Sequence, residues 1–232
     1  NFLSGKIPKQ KIIFKTNIDD IGYSKKLQIK LNGDLLEFDY LALCDGVFSE
    51  NKNKVIKNNR NAQFNNSLAF RGTLKNFEQK DISVYLGPNL HFVIYPLNQE
   101  GDYNFISVIR ENNIKKIDNK IISIENYFKF IKSNTSLDLR KLENKSVYPI
   151  FVSKHYNKPH NEKIFIVGDA LFAFPPSFAQ GASQSLETSH EAYKNIIGEK
   201  NNYYENRELI IKEVKARSEF NQFAFHVSNP FI

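Results

Sequence analysis

Ile164-Phe165-Ile166-Val167-Gly168-Asp169-Ala170, continued by Pro175-Pro176-Ser177-Phe178-Ala179-Gln180-Gly181-Ala182-Ser183-Gln184, is the stretch on which the reading of this chain turns. Four apolar residues ending at Gly-Asp read as a buried strand that stops abruptly. A proline-bearing loop follows, and the small residues Gly181, Ala182 and Ser183 open a helix. A first turn of small residues leaves its unpaired backbone N–H groups accessible, and the positive end of the helix dipole favours an acceptor there. A carboxylate at the strand end, a few residues upstream, can accept hydrogen bonds from sugar or polyol hydroxyls. The combination predicts a cofactor cradle.

The pattern resembles the second FAD-binding motif of the single-component flavoprotein aromatic monooxygenases, the class of p-hydroxybenzoate and salicylate hydroxylases that also includes the ubiquinone-pathway hydroxylases. There the motif runs Gly-Asp-Ala-Ala-His, a spacer, Pro, then Ala-Gln-Gly-Ala and a later acidic residue. Gly168, Asp169, Ala170, Pro176, Ala179, Gln180, Gly181, Ala182 and Glu187 fall on those positions, and Phe172 stands where the His usually is.

Three further segments match in order. Phe38 to Ser49, with Asp45-Gly46 after an apolar run, resembles the family's Asp-Gly fingerprint; Cys44 replaces the usual Ala, and Lys52 and Lys54 are the nearest cations to its Arg position. Phe70-Arg71-Gly72 followed by Gly87-Pro88 and His91-Phe92-Val93-Ile94-Tyr95-Pro96 is similar to the substrate-domain sheet of the salicylate-hydroxylase branch. Phe225-His226-Val227-Ser228-Asn229-Pro230 matches near the end of a helical tail. The nucleotide fingerprint Gly-x-Gly-x-x-Gly of a leading βαβ unit is nowhere in the sequence. That absence, with no Met and a beginning at Asn1, leads us to expect an N-terminally truncated fragment that holds FAD weakly by itself.

At 232 residues there is length for one large or two modest domains. A single Cys excludes a disulfide framework and favours a reducing, cytoplasmic setting. There is no leader pattern and no apolar run near the twenty residues of a membrane helix. The net charge of +7 is carried mostly by Lys dispersed along the whole chain, and Arg, the usual reader of bases and phosphates, is scarce. Nucleic acid is therefore not expected as a partner. His155, His160, His190 and His226 lack ligand-like spacing, so no metal site is expected.

The expected fold class is mixed α/β: an incomplete FAD/NAD(P)-binding, Rossmann-like domain with an inserted antiparallel-sheet substrate domain. Residues 1–60 and 154–200 would form the partial FAD-binding domain, 61–153 the substrate domain and 201–232 a C-terminal helical segment. Lys11–Lys15, Leu27–Leu31 and Leu35–Phe38 read as strands, the last two joined by the tight-turn pair Asn32-Gly33. Tyr40–Cys44 reads as a strand buried on both faces, with Cys44 a small buried residue. Leu68–Leu74, Ile82–Leu86, Phe92–Pro96 and Tyr103–Arg110 suggest a meander, followed by a helix over Ile124–Ser133 and a strand over Val147–Val152. Asn51–Asn66 reads as a surface loop, Gln180–Ile197 as a helix and the region from Asn202 to Val227 as a long amphipathic one.

The resemblance implies NAD(P)H-dependent hydroxylation of a small phenolic or prenylated phenolic substrate by O₂, through a flavin C4a-hydroperoxide. A flavin reductase or dehydrogenase on the same scaffold, and a truncated non-catalytic binding module, are the alternatives. Asp45, Gly46, Gly168, Asp169, Pro176, Ala179, Gln180, Gly181 and Ala182 would hold FAD; Asp169 would take the ribitol chain and Gly181 and Ala182 the flavin edge. Pro176 would shape the reacting edge, and His91 or Tyr95 would be the base. Read without the family, Asp45-Gly46 is an ordinary turn and His91 a structural histidine. A prenylated substrate would bring peripheral membrane contact.

Overall fold

A computed structural model of the chain describes residues 4–57, 59, 62–75, 81–98, 100–110 and 142–227. They form two compact units. The first takes residues 1–62, 153–174 and 180–212; the second takes 63–152, 175–179 and 213–232. The mixed α/β class expected from the sequence is the one found.

In the first unit, β1 (Ile18–Tyr23), β2 (Leu27–Leu31) and β3 (Asp34–Phe38) form an antiparallel sheet in that order. Asn32 and Gly33 join β2 to β3 with φ of 48° and 95°, the double positive φ that a two-residue hairpin turn demands. The strand expected at Lys11–Lys15 is not formed. Lys9–Lys11 is a single 3-10 turn, and β1 begins only at Ile18. Ile13 and Phe14 are exposed, so that alternation buries nothing.

The functional frame is a parallel pair, β4 (Leu41–Leu43) with β10 (Ile164–Ile166), in register Leu43 to Ile166. All of β10 is buried. In β4 only Leu43 is buried, and Ala42 and Cys44 are exposed, which corrects the expectation of a strand and a cysteine enclosed on both sides. On β10, side-chain hydroxyls meet the remaining backbone groups. Tyr204 Oη accepts the Ile166 N–H at 3.1 Å and donates to the Ile164 carbonyl at 2.7 Å, and Tyr203 Oη donates to the Ile166 carbonyl at 2.8 Å. Buried backbone groups must be paired, and here two tyrosines do what a neighbouring strand would do. Burial raises the pKa of both phenols, so they stay protonated donors.

Helix α1 (Asn51–Val55) occupies part of the segment expected to be loop. Helices α2 (Gly181–Ile196) and α3 (Tyr203–Ala224) fall within a few residues of the expected spans. The core of this unit gathers Leu27, Ile29, Leu43, Ile164, Phe165, Ile166, Leu171 and Phe172 with Ala192 and Tyr204 from the two helices.

The second unit is a five-stranded antiparallel sheet made of β5 (Gln63–Lys75), β6 (Ser83–Gly87), β7 (Leu90–Pro96), β8 (Asp102–Arg110) and β9 (Glu143–Val152). Its order is β6-β7-β8-β5-β9. The expected antiparallel meander is found for β6-β7-β8 and is corrected for β5, which pairs with β8 and β9 and not with β6. Along β7, Leu90, Phe92 and Ile94 enter a core with Phe70, Leu74, Tyr103 and Phe105, while His91, Val93 and Tyr95 take the opposite face. The helix expected at Ile124–Ser133 lies outside the described residues. Among the described residues, no helix is long and apolar enough to cross a membrane.

Candidate functional site

The parallel register of β4 and β10 sets Asp45-Gly46 and Gly168-Asp169 side by side at the carboxyl ends of neighbouring strands, where open α/β sheets bind ligands. Two motifs more than a hundred residues apart in sequence thus converge at one edge. Val167 N–H donates to the Leu43 carbonyl at 2.9 Å and ends the pairing just before both motifs.

Gly168 is glycine for two reasons. Its φ is +61°, and a Cβ there would lie 2.8 Å from Ser185 Oγ. The 3-10 turn Gly168–Ala170 therefore packs against the second turn of α2, and the Gly168 N–H donates to Thr188 Oγ1 at 3.0 Å. On its inward face α2 buries Gln184, Thr188 and Ala192, small or polar side chains that permit this close approach. Asp169 follows, open to solvent on one side, and makes no hydrogen bond or ion pair among the described residues. Surrounding protein atoms desolvate its carboxyl and raise its pKa. A carboxylate at a strand end, without a partner among the described residues, is ready to accept hydroxyl donors.

The first intrahelical bond of α2 runs from the Gln184 N–H to the Gln180 carbonyl at 2.8 Å. It leaves the N–H groups of Gly181, Ala182 and Ser183 facing out of the helix end. Gln180 supplies no side-chain cap, and the first turn carries no acidic residue. A Cβ built on Gly181 meets nothing within 4 Å, so the space over this turn is clear. An aromatic heterocycle with a polar edge and a polyol chain fits this set of groups: open N–H groups and clear space on one side, and on the other a carboxylate with no partner among the described residues.

Asp45 is exposed and accepts a hydrogen bond from Asn51 Nδ2 at 3.0 Å, so its turn is tied to the start of α1. Gly46 has φ of +80° and open space where a Cβ would stand. Behind the turn, Lys52 is buried and sends its Nζ to the Leu171 carbonyl at 3.3 Å, joining the Asp45 segment to the Asp169 turn. Burial lowers the Lys52 pKa, and the Asp45 charge opposes that shift. Lys54 instead reaches the Ile18 carbonyl and Asn51 Oδ1.

Phe172, at the family's His position, is 3% exposed and packs its ring 4.9 Å from that of Phe174 in the core. It is a core residue here and presents no polar group to the site.

Pro176 and Ala179 belong to the second unit. Pro176–Phe178 is a 3-10 turn, and Ala179 closes it in the left-handed region at φ 53°. Ser177 Oγ donates to the Ser218 carbonyl at 2.6 Å and Asn221 Nδ2 to the Ser177 carbonyl at 3.3 Å, so α3 anchors this loop. Tyr95 is half-buried on β7. His91 is buried at 5% exposure with its Nδ1 3.0 Å from His226 Nε2, and the Phe225 ring stands edge-on to it at 5.2 Å. Burial, and then the neighbouring His226, push the His91 pKa down to about 4. An imidazole held that low is a poor acceptor for a phenol proton.

Sequence reasoning missed two features: the histidine pair and the enclosure of Arg207. Arg207 reads as one charge among many on a long helix, yet it is 1% exposed. Only its place on the inward side of α3, between Tyr203 and Ile211, could have signalled this. A cavity of about 730 Å³ opens among Tyr40, Lys163, Phe165, Asn195 and Tyr204. It lies at the opposite, amino ends of β4 and β10, and its Lys158 and Glu205 are already paired with each other. It is not the site of the motifs. Among the described residues no group of His, Cys, Asp and Glu could hold a metal ion.

No family model and no curated protein matches the sequence. Solved structures do. Salicylate hydroxylase, in a substrate complex, superposes with a TM-score of 0.78 at 13% identity over 100% of this chain and 66% of its own. A variant of HpxO from Klebsiella pneumoniae, complexed with FAD, gives 0.74 at 13% identity over 94% of this chain and 61% of its own. CtdE, in complex with FAD and a substrate, gives 0.65 at 13% identity over 91% and 58%. This chain thus spans 58–66% of the length of these three structures. At such identities the likeness is one of fold, and it agrees with the resemblance carried by the motifs.

Proposed function

We propose, from the premise that this chain has the fold of the FAD-dependent aromatic monooxygenases, that it forms the flavin-holding and substrate-covering parts of an NAD(P)H-dependent aromatic hydroxylase. The observation that carries this reading is the convergence of Asp45-Gly46, Gly168-Asp169 and the open start of α2. Among the described residues, one carboxylate without a partner and three N–H groups without acceptors stand at the carboxyl edge of a parallel strand pair.

In this reading FAD supplies the redox chemistry and the activation of O₂. Asp169 accepts hydrogen bonds from the ribitol hydroxyls, and Gly168 lets the turn sit close enough to α2 for both to serve one ligand. The N–H groups of Gly181 and Ala182 stabilise negative charge on the flavin edge, helped by the positive end of the α2 dipole. Asp45 and Gly46 line the approach to the pyrophosphate side, and Lys52 holds their turn to that of Asp169. Gln180 shapes the entry to α2 beside the flavin. Tyr95, half-buried on β7, is the group we assign to contact a phenolic substrate. His91, paired and held neutral, serves the framework of its sheet.

The test is the visible absorption spectrum of the protein expressed from its complete reading frame, with and without added FAD. Flavin bands that bleach with anaerobic NAD(P)H, and NADH or NADPH oxidation stimulated by phenols with a hydroxylated product, are expected. A folded protein that binds no flavin overturns the reading. Flavin reduction without oxygen transfer to any phenol would limit it to a reductase.

A further inference from the structure

The mouth of α2 is open although a polar side chain stands beside it. Gln180, at the N-cap, carries an amide whose oxygen could turn over the helix end and occupy the N–H groups of Gly181 and Ala182. It does not. Its Oε1 is instead drawn back along the helix by Gln184 Nε2 at 3.4 Å. Gln184 is 6% exposed and its side chain is itself held from two sides: its Nε2 donates to Glu187 Oε2 at 3.1 Å, and its Oε1 accepts from Arg207 Nη1 at 3.4 Å.

Arg207 is the anchor of this chain of contacts. It comes from α3, and its guanidinium lies along the face of α2 formed by positions 180, 184, 187 and 191, spaced four, three and four apart and so on one side of the helix. Nη2 donates to Glu191 Oε1 at 2.7 Å, Nε lies 2.7 Å from Glu191 Oε2, and Nη1 lies 3.6 Å from Glu187 Oε2. With Nη2 bonded to Glu191, the planar guanidinium directs an Nη1 donor at Gln184, which a flexible ammonium would not do. That donor determines which end of the Gln184 amide faces Gln180, since an oxygen turned toward Arg207 leaves the NH₂ group for Gln180 and Glu187.

We infer that Arg207 is a positioning residue for the start of α2: through Gln184 it holds the Gln180 side chain off the helix end and keeps the N–H groups of Gly181 and Ala182 free for a ligand. The inference rests on the flavin reading of that helix start, and Arg207 itself touches neither cofactor nor substrate.

The full-length protein and its Gln184→Leu and Arg207→Lys variants are compared by thermal unfolding, by FAD titration and by the position of the bound flavin's visible bands. Lys158→Gln, which removes an exposed ion pair between Lys158 and Glu205, is the control for a merely structural loss on α3. Gln184→Leu keeps the Arg207 to Glu191 pair and the side-chain volume. It is expected to weaken FAD binding about tenfold, the scale of one competing hydrogen bond, and to shift the flavin bands. Arg207→Lys should act in the same direction, and Lys158→Gln should change neither reading. Where Arg207→Lys fails to fold, Gln184→Leu decides. Where that also fails, Glu187→Ala decides, because from an exposed position it removes an acceptor that holds the Gln184 amide. Wild-type affinity and an unshifted spectrum in folded Gln184→Leu would overturn the inference while leaving the flavin reading intact. Wild-type protein without FAD binding would overturn both.

Discussion

His91 Nδ1 and His226 Nε2 lie 3.0 Å apart, one at the start of β7 and the other beyond the end of α3, 135 residues away in sequence. One ring must donate and the other accept, so the pair is satisfied only while both imidazoles are neutral or share a single proton. Burial lowers both pKa values. His226 is pushed further down by the Arg110 charge, and the Gln222 carbonyl opposes this.

Acid sensitivity follows. The folded pKa of His91, about 4, lies below its ordinary 6.5, so between those values the unfolded chain binds more protons than the folded one. Stability is therefore full above about pH 6.5 and falls as pH drops toward 4, by ~3 kcal/mol from this group at its limit. Urea unfolding at a series of pH values should show the slope, and a His91→Leu, His226→Leu double variant should flatten it.

Tyr204 spans two backbone groups of β10 with one hydroxyl, accepting from Ile166 and donating to Ile164. Tyr204→Phe keeps the ring packing and leaves a buried N–H and a buried carbonyl unpaired. A loss of roughly 2–6 kcal/mol is expected, twice the usual cost for one orphaned group. Amide exchange of the Ile166 N–H should accelerate in the variant. An unchanged midpoint in denaturant would contradict the bridging role.

Much of this was legible because it is local. Asn32-Gly33 can hardly be anything but a primed turn, and Ile164 to Val167 is too short for a helix and too apolar for a surface. The spacing from Gly168 to Gly181 carries its own turn chemistry in Pro175, Pro176 and the glycines. What escaped depends on distant partners. Nothing near β5 says that it joins β8 instead of β6, since both of its edges are taken by strands from later in the chain. The exposure of Cys44 is likewise a matter of what lies over β4. The enclosure of Arg207 depends on Glu191 and Gln184 arriving from another helix, and charge alone gives the opposite reading.

Gly168 and Gly181 separate a structural from a ligand requirement. Gly168→Ala forces a Cβ within 2.8 Å of Ser185 Oγ at a φ of +61°. A destabilisation of about 1–3 kcal/mol is expected for that strained backbone. Gly181→Ala meets open space at a position where alanine favours the helix, so its stability should equal or slightly exceed that of the parent. If the flavin edge sits over this turn, the added methyl should nevertheless weaken FAD binding. Thermal unfolding and FAD titration of the two variants read the two effects independently, and unaltered FAD affinity in Gly181→Ala would place the ligand elsewhere.

Phe172 offers a test of whether the histidine of the motif that this stretch resembles can be accommodated in this chain. Its side chain is enclosed with Leu171, Ala170 and Phe174, so a histidine placed there would face apolar neighbours. Phe172→His removes aromatic volume and buries a ring that carries at least one N–H with no acceptor among those neighbours. Loss of apolar burial and an unsatisfied donor both act against the fold, together on the order of 2–4 kcal/mol. The substitution should lower the melting temperature by several degrees and gain no flavin affinity. It should add acid sensitivity, because the unfolded chain can protonate the new imidazole and the folded core resists it. A variant as stable as the parent across pH 5–8 would mean that position 172 can turn toward solvent, and the core assignment of Phe172 would fall.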